Sequence, residues 1–142
     1  IGFALAPKAI MSQMLKVQQH TTTCAAAFTQ AAGVAALTGP QDAVAEMLDV
    51  YTVRRQLIVD GLNSIAGIRC AAPEGAFYAF PDISGTGMTS DEFCSAMLEK
   101  ARVVMTPGDC FGESGAGYAR LSFANATDKL EQTVVRLRQA LS

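Results

Sequence analysis

The sequence predicts an α/β domain of layered α+β type: a small, mostly antiparallel sheet with helices packed on it. Three observations predict it. Apolar residues recur at three- and four-residue steps through most of residues 8–64. After Gly67 the period shortens to strand-like runs punctuated by Pro and Gly. Helical patterns then return between and after those runs, as a layered domain requires.

Residues 1–6 have the pattern of a short buried strand, stopped by Pro7, which cannot donate to a ladder. From Lys8 to Gln19, the spacing of Ile10, Met11, Met14, Leu15 and Val17 predicts a helix. His20 and Thr21-Thr22-Thr23 interrupt it and offer a hydroxyl cap for the next helix. Residues 24–37 are alanine-rich, with Phe28, Val34 and Leu37, and predict a closely packed helix ended by Gly39-Pro40. The longest helix is expected over Asp42 to Ser64, with Val44, Met47, Leu48, Tyr51, Ile58 and Leu62 along one stripe.

Gly67 closes the next turn, and Ile68 to Ala71 reads as a strand. Pro73-Glu74-Gly75 is a turn before a second strand, Ala76 to Phe80, which Pro81 ends. Gly85 to Gly87 is expected as a flexible loop. Thr89 with Glu92 forms a capping-box pattern ahead of a helix whose inner face is Phe93, Met97 and Ala101. Val103 to Met105 is a third strand and Tyr118 to Ala124 a fourth. Thr127 is expected to cap a last helix with Leu130, Val134, Leu137 and Leu141 on one stripe.

A chain of 142 residues is long enough for a real core, and 50% hydrophobic with 17% charged residues is globular composition. A formal charge of -2 without a basic stripe argues against nucleic acid or an anionic membrane surface as partner. Arg54-Arg55 and the Arg136/Arg138 pair are expected on solvated helix faces. Cys24, Cys70, Cys94 and Cys110 are widely spaced, and with one histidine they make neither a zinc cluster nor a secreted disulfide framework. Reduced thiols in a cytoplasmic protein are the expectation. The chain opens on Ile1-Gly2-Phe3 in mid-strand pattern, which is expected of a piece of a longer protein.

Arg120 is the candidate binding residue. It stands within the apolar run Gly117-Tyr118-Ala119-Arg120-Leu121-Ser122-Phe123-Ala124. A cation there must reach water or meet an anion, because burying it alone is costly. Its planar fork matches a carboxylate through two parallel hydrogen bonds. The loop before it carries Gly108, Gly112, Gly115 and Gly117, which allow close backbone approach but lack the lysine of a phosphate-binding loop.

Other chemistry is sparse. His20 is expected at a helix end, and Glu74 and Asp82 as turn residues rather than an acid/base pair. Cys110 lies in the glycine loop, where a reactive thiol is weighed against a plain small residue and the latter is expected. Phe77 and Tyr78, as strand neighbours, should face opposite sides, one toward the core and one toward a cleft.

Three motifs in order resemble the pyridoxal-phosphate-dependent aminotransferases of fold type I, class I/II, the group that includes aspartate aminotransferases. Pro73-Glu74-Gly75-Ala76-Phe77-Tyr78 is similar to the family's P-x-G-A-F-Y element. Val104-Met105-Thr106-Pro107-Gly108-Asp109-Cys110-Phe111-Gly112 resembles its V-x-P-G-x-x-F-G loop, and Tyr118 to Ala124 its arginine-bearing strand. The resemblance implies that residues 1–40 are a remnant of a large cofactor domain, 41–64 a long interdomain helix, and 65–142 a C-terminal small domain.

It implies further that Arg120 binds the substrate α-carboxylate and that Phe77 lies near the substrate entrance. The Thr21-Thr22-Thr23 segment resembles a stretch that approaches the neighbouring subunit in the family's homodimers. The implied cofactor is pyridoxal 5′-phosphate. The implied reaction, part of amino-acid metabolism, moves an amino group from an amino acid such as aspartate to a 2-oxo acid. The family's Schiff-base lysine and phosphate-binding arginine would precede Ile1. None of Lys8, Lys16, Lys100 or Lys129 has the matching context, so no catalytic or cofactor-binding residue is assigned and the piece alone is expected to be inactive. A lyase or synthase of the same fold, or a non-catalytic module, would share the scaffold.

Overall fold

A computed structural model describes residues 1–142. The chain divides into two compact units, Ile1–Ala43 and Val44–Ser142.

The first unit holds α1 (Lys8–Thr21) and α2 (Ala27–Thr38), joined by a turn in which Thr23 has φ 61°. Residues 1–6 are not a strand. A strand exists by pairing, and this unit offers only helices, so Phe3 and Leu5 stand almost fully exposed. The threonines do not cap α2 either. Thr21 Oγ1 donates back to the Val17 carbonyl at 3.1 Å, closing α1, and α2 starts at Ala26 with no side-chain cap. Gly39 ends α2 as expected, its N–H donating to Ala35 O at 2.9 Å.

The second unit is built on α3 (Asp42–Asn63), of which all but the first two residues belong to it. Only the C-terminal half of its stripe is buried: Ile58, Val59 and Leu62 enter the core, whereas Val44, Met47 and Leu48 are exposed. The core is completed by Ile83, Phe93, Met97, Phe123 and Leu137, all essentially solvent-free. Each such side chain contributes roughly 1.5–3 kcal/mol of burial.

The second unit carries a three-stranded sheet in the order β1-β3-β2: β1 is Tyr78–Ala79, β2 Thr106–Pro107 and β3 Ala119–Ser122. Both pairings are antiparallel, with Tyr78 opposite Ser122 and Thr106 opposite Arg120. The strands are shorter than the sequence suggests. Ala76 at φ 59° breaks the extended run before β1. Residues 68–71 reduce to one bridge, Arg69 with Asp82. Residues 103–105 alternate buried, exposed, buried, yet find no partner, and pairing begins only at Thr106.

Thr89 closes the capping box at the start of α4 (Ser90–Ala96), and its backbone N–H donates to Glu92 Oε2 at 2.9 Å. That helix runs on as a π-helical turn, Met97–Ala101, ending at Arg102 with φ 57°. The expected loop at Gly85 to Gly87 is instead a 3₁₀ turn over Ser84–Thr86, closed by Gly87 at φ 75°. The final helix, α5 (Thr127–Leu141), buries Leu130, Val134 and Leu137. Its cap position is Ala126; Thr127 sits inside the first turn and accepts from Arg54 Nε at 3.5 Å. Arg54 and Arg55 are therefore half-buried rather than solvated, Arg55 donating to Pro73 O at 3.0 Å.

Candidate functional site

The central strand delivers Arg120 between two shorter neighbours. Alternation along β3 buries Ala119 and Leu121 and puts Arg120 on the open face. Its guanidinium carbon lies over two rings, 4.4 Å from the Tyr78 centroid and 4.5 Å from that of Phe111. One ring comes from the β1 side and one from the loop after β2, so the cation is flanked from both edges of its strand. Both distances lie within the range of effective cation–π attraction. The only salt bridge in the chain joins Lys129 to Asp128, and no side chain or carbonyl accepts from the Arg120 guanidinium. A half-buried cation with ring-covered flanks and unspent N–H donors is an anion receptor in form.

Phe111 owes its place to two glycines. Two 3₁₀ turns, Gly108–Phe111 and Glu113–Gly115, fold the loop against β3, with Gly108 N–H donating to Tyr118 O at 2.8 Å. The backbones of Gly108 and Gly115 cross so closely that a Cβ on either would collide with the carbonyl oxygen of the other. Only glycine allows that approach. The loop read from sequence as glycine-rich is thus folded back on β3, and Ser90 Oγ, itself buried, accepts from Gly117 N–H at 3.1 Å at its end.

The rings continue outward. Phe80 stacks on Tyr118 at 5.2 Å and meets Phe111 edge-on at 6.0 Å. Phe77 lies 4.6 Å from Tyr78 and 6.2 Å from Tyr51. Phe77 and Tyr78 consequently do not face opposite sides, and neither enters the core. The left-handed φ at Ala76 turns the chain before the strand starts, so strict alternation does not apply at Phe77.

None of the remaining sequence candidates forms an ion pair with Arg120. Glu74 is exposed in its turn. Asp82 accepts from Ser84 N–H at 2.9 Å, and hydrogen bonding from Ser84 holds its carboxyl below the usual range, as for a turn-forming carboxylate. His20 is exposed in the last turn of α1. Cys110 is exposed beside Phe111, and burial pushes the Cys94 thiol up to about 11. No three metal-ligating side chains gather anywhere. Sequence reading missed the parts of Tyr78 and Phe111; the aromatic position of the P-G-x-x-F-G loop was the available signal.

A small antiparallel sheet packed with helices thus presents one unpaired arginine on its central strand. The chain belongs to the aminotransferase class I and II family, whose sequence model matches residues 1–137. It is 43% identical over 143 residues to an aspartate aminotransferase of Pyrococcus horikoshii, covering 99% of this chain and 37% of that protein. It is 40% identical to aromatic-amino-acid aminotransferase 2 of Thermococcus litoralis, covering 99% of this chain and 36% of the relative. Among solved structures it is similar to an aromatic aminotransferase from Pyrococcus horikoshii, with a TM-score of 0.90 at 42% identity over 96% of this chain and 37% of that one. The aspartate aminotransferase of Rhizobium meliloti gives a TM-score of 0.87 at 36% identity, over 96% of this chain and 36% of that one. The chain thus spans little more than a third of the length of these relatives.

The family depends on pyridoxal 5′-phosphate, which needs an amine placed to form an imine. The residues of this chain do not fit that task. Lys8, Lys16, Lys100 and Lys129 are all exposed on helical segments, and none belongs to the cluster around Arg120.

Proposed function

We propose that this chain is the carboxylate-binding part of a pyridoxal-phosphate-dependent aminotransferase. The enzyme moves an amino group from an amino acid, aspartate or one like it, to a 2-oxo acid. The observation that carries the reading is the Arg120 fork, flanked by rings and unspent toward its own chain. Its role is to seize the substrate α-carboxylate by two parallel hydrogen bonds and fix the orientation of the α-carbon. Phe77 borders the substrate entrance, its ring leaning on Tyr78. The imine-forming lysine belongs to the part of the protein that the relatives possess and this chain does not span. Homodimerisation, with Thr21-Thr22-Thr23 approaching the partner's site, and a cytoplasmic location belong to the same proposal. No helix is long and apolar enough to cross a membrane.

The test is steady-state kinetics of Arg120→Lys in the full-length enzyme. Lysine keeps the charge and loses the fork. Forfeiting one charged hydrogen bond costs roughly 1.5–3 kcal/mol, so kcat/KM should fall by about tenfold to a hundredfold. Unchanged kinetics would remove Arg120 from the site.

A further inference from the structure

We infer that Phe111 and Tyr78 are positioning residues: they aim the Arg120 fork for a carboxylate that arrives in the plane of the guanidinium. The inference rests on the reading of Arg120 as the carboxylate receptor and adds how that receptor is held. A free arginine side chain samples many rotamers, and ordering it on binding costs affinity. Here the ordering is done beforehand. Tyr78 approaches from the β1 side and Phe111 from the β2 side, each within 4.5 Å of the cation centre.

The two rings do not serve by filling the core. Phe111 is 49% exposed and Tyr78 half-buried, while the buried cluster beneath consists of other residues. Their packing is spent on the cation and on each other's neighbours: Phe111 on Phe80 and Tyr78 on Phe77. The rigidity comes from below. The Gly108–Gly115 crossing fixes the turn that carries Phe111, and the β1–β3 ladder fixes Tyr78. Ring-covered flanks also strip water from the weakly hydrated faces of the guanidinium and leave its N–H edge as the binding surface. A ligand is therefore recognised at that edge by a flat carboxylate, and a neutral amide of the same shape gains nothing from the rings.

The experiment uses the full-length protein and two probes, 3-phenylpropionate and 3-phenylpropionamide, as competitive inhibitors. Phe111→Leu keeps an apolar side chain and removes the ring. It should weaken 3-phenylpropionate by about fivefold to thirtyfold, the loss of one cation–π partner, and leave 3-phenylpropionamide unchanged. Phe111→Tyr should restore carboxylate binding, and Tyr78→Leu should repeat the Phe111→Leu pattern from the other flank. In the Arg120→Gln background, which has no cation for the ring to hold, Phe111→Leu should add little.

Equal weakening of acid and amide, or the full Phe111→Leu effect persisting in the Arg120→Gln background, would show a merely structural ring and overturn the inference. So would Phe111→Leu and Tyr78→Leu both binding the acid as wild type does. If Arg120→Ala itself leaves 3-phenylpropionate binding intact, the reading of Arg120 falls and takes the inference with it. If Arg120→Ala abolishes binding while both ring variants are silent, only the inference falls.

Discussion

Gly61 of α3 lies directly against Val134 of α5: a Cβ added at Gly61 would overlap both methyls of Val134, the farther at 2.8 Å. This contact limits how closely the two helices approach. Gly61→Ala should therefore destabilise the protein despite alanine's better helix propensity, which alone is worth about 1 kcal/mol in its favour. Val134→Ala, by opening a cavity, should also destabilise. The double variant should recover much of the loss, giving a favourable coupling of about 0.5–3 kcal/mol in a denaturant-unfolding cycle. Additive losses would contradict the packing.

Arg102 ends the π-helical turn with φ 57°, a left-handed conformation that costs a side chain roughly 1–2 kcal/mol. Arg102→Gly should raise stability by up to about 1 kcal/mol once glycine's extra unfolded-state freedom is subtracted. A fall in the melting midpoint would show that the arginine makes a contribution its conformation does not reveal.

Hydrogen bonds from the backbone and side chain of Thr89 hold the Glu92 carboxyl below its ordinary value. A group depressed in the folded state stabilises above its unfolded pKa, and that stability is lost as pH falls through the folded pKa. Wild type should thus lose melting temperature on acidification below the ordinary glutamate range more steeply than Glu92→Gln does. Parallel profiles for the two would contradict the capping box. At neutral pH, Thr89→Ala should cost about 0.5–2 kcal/mol, measured by chemical unfolding.

Ala76 holds φ 59° just before Phe77 and so decides where that ring points. Ala76→Gly relieves the strain, yet loosens the turn. We expect stability within about 1 kcal/mol of wild type and a higher KM in the full-length enzyme, read by steady-state kinetics. An unchanged KM would mean that the aim of Phe77 does not matter to substrate entry.

The helices and the arginine strand were legible in the sequence because their signals are local. The spacing of Leu130, Val134 and Leu137, the Thr89–Glu92 box and the alternation around Arg120 each depend on residues a few positions apart. The resemblance carried by three short motifs agrees with the family that residues 1–137 match. What could not be read depends on distant pairing. Residues 1–6 have strand composition without a strand beside them, and Val103 to Met105 alternate without reaching a ladder. The seating of Phe111 on Arg120 was equally hidden, because it needs Gly108 to cross Gly115 and the loop to fold back on β3. The stripe of α3 was visible over its whole length, but only the portion from Ile58 onward is buried in the second unit.

The central claim is that Arg120 grips a carboxylate edge-on, and a crystal structure of the full-length enzyme with a bound carboxylic-acid substrate tests it most directly. The claim predicts two parallel N–H···O bonds of about 2.7–2.9 Å from Arg120 to the α-carboxylate, with Tyr78 and Phe111 still against the guanidinium. A carboxylate held by other residues, with Arg120 turned away into solvent, would contradict it.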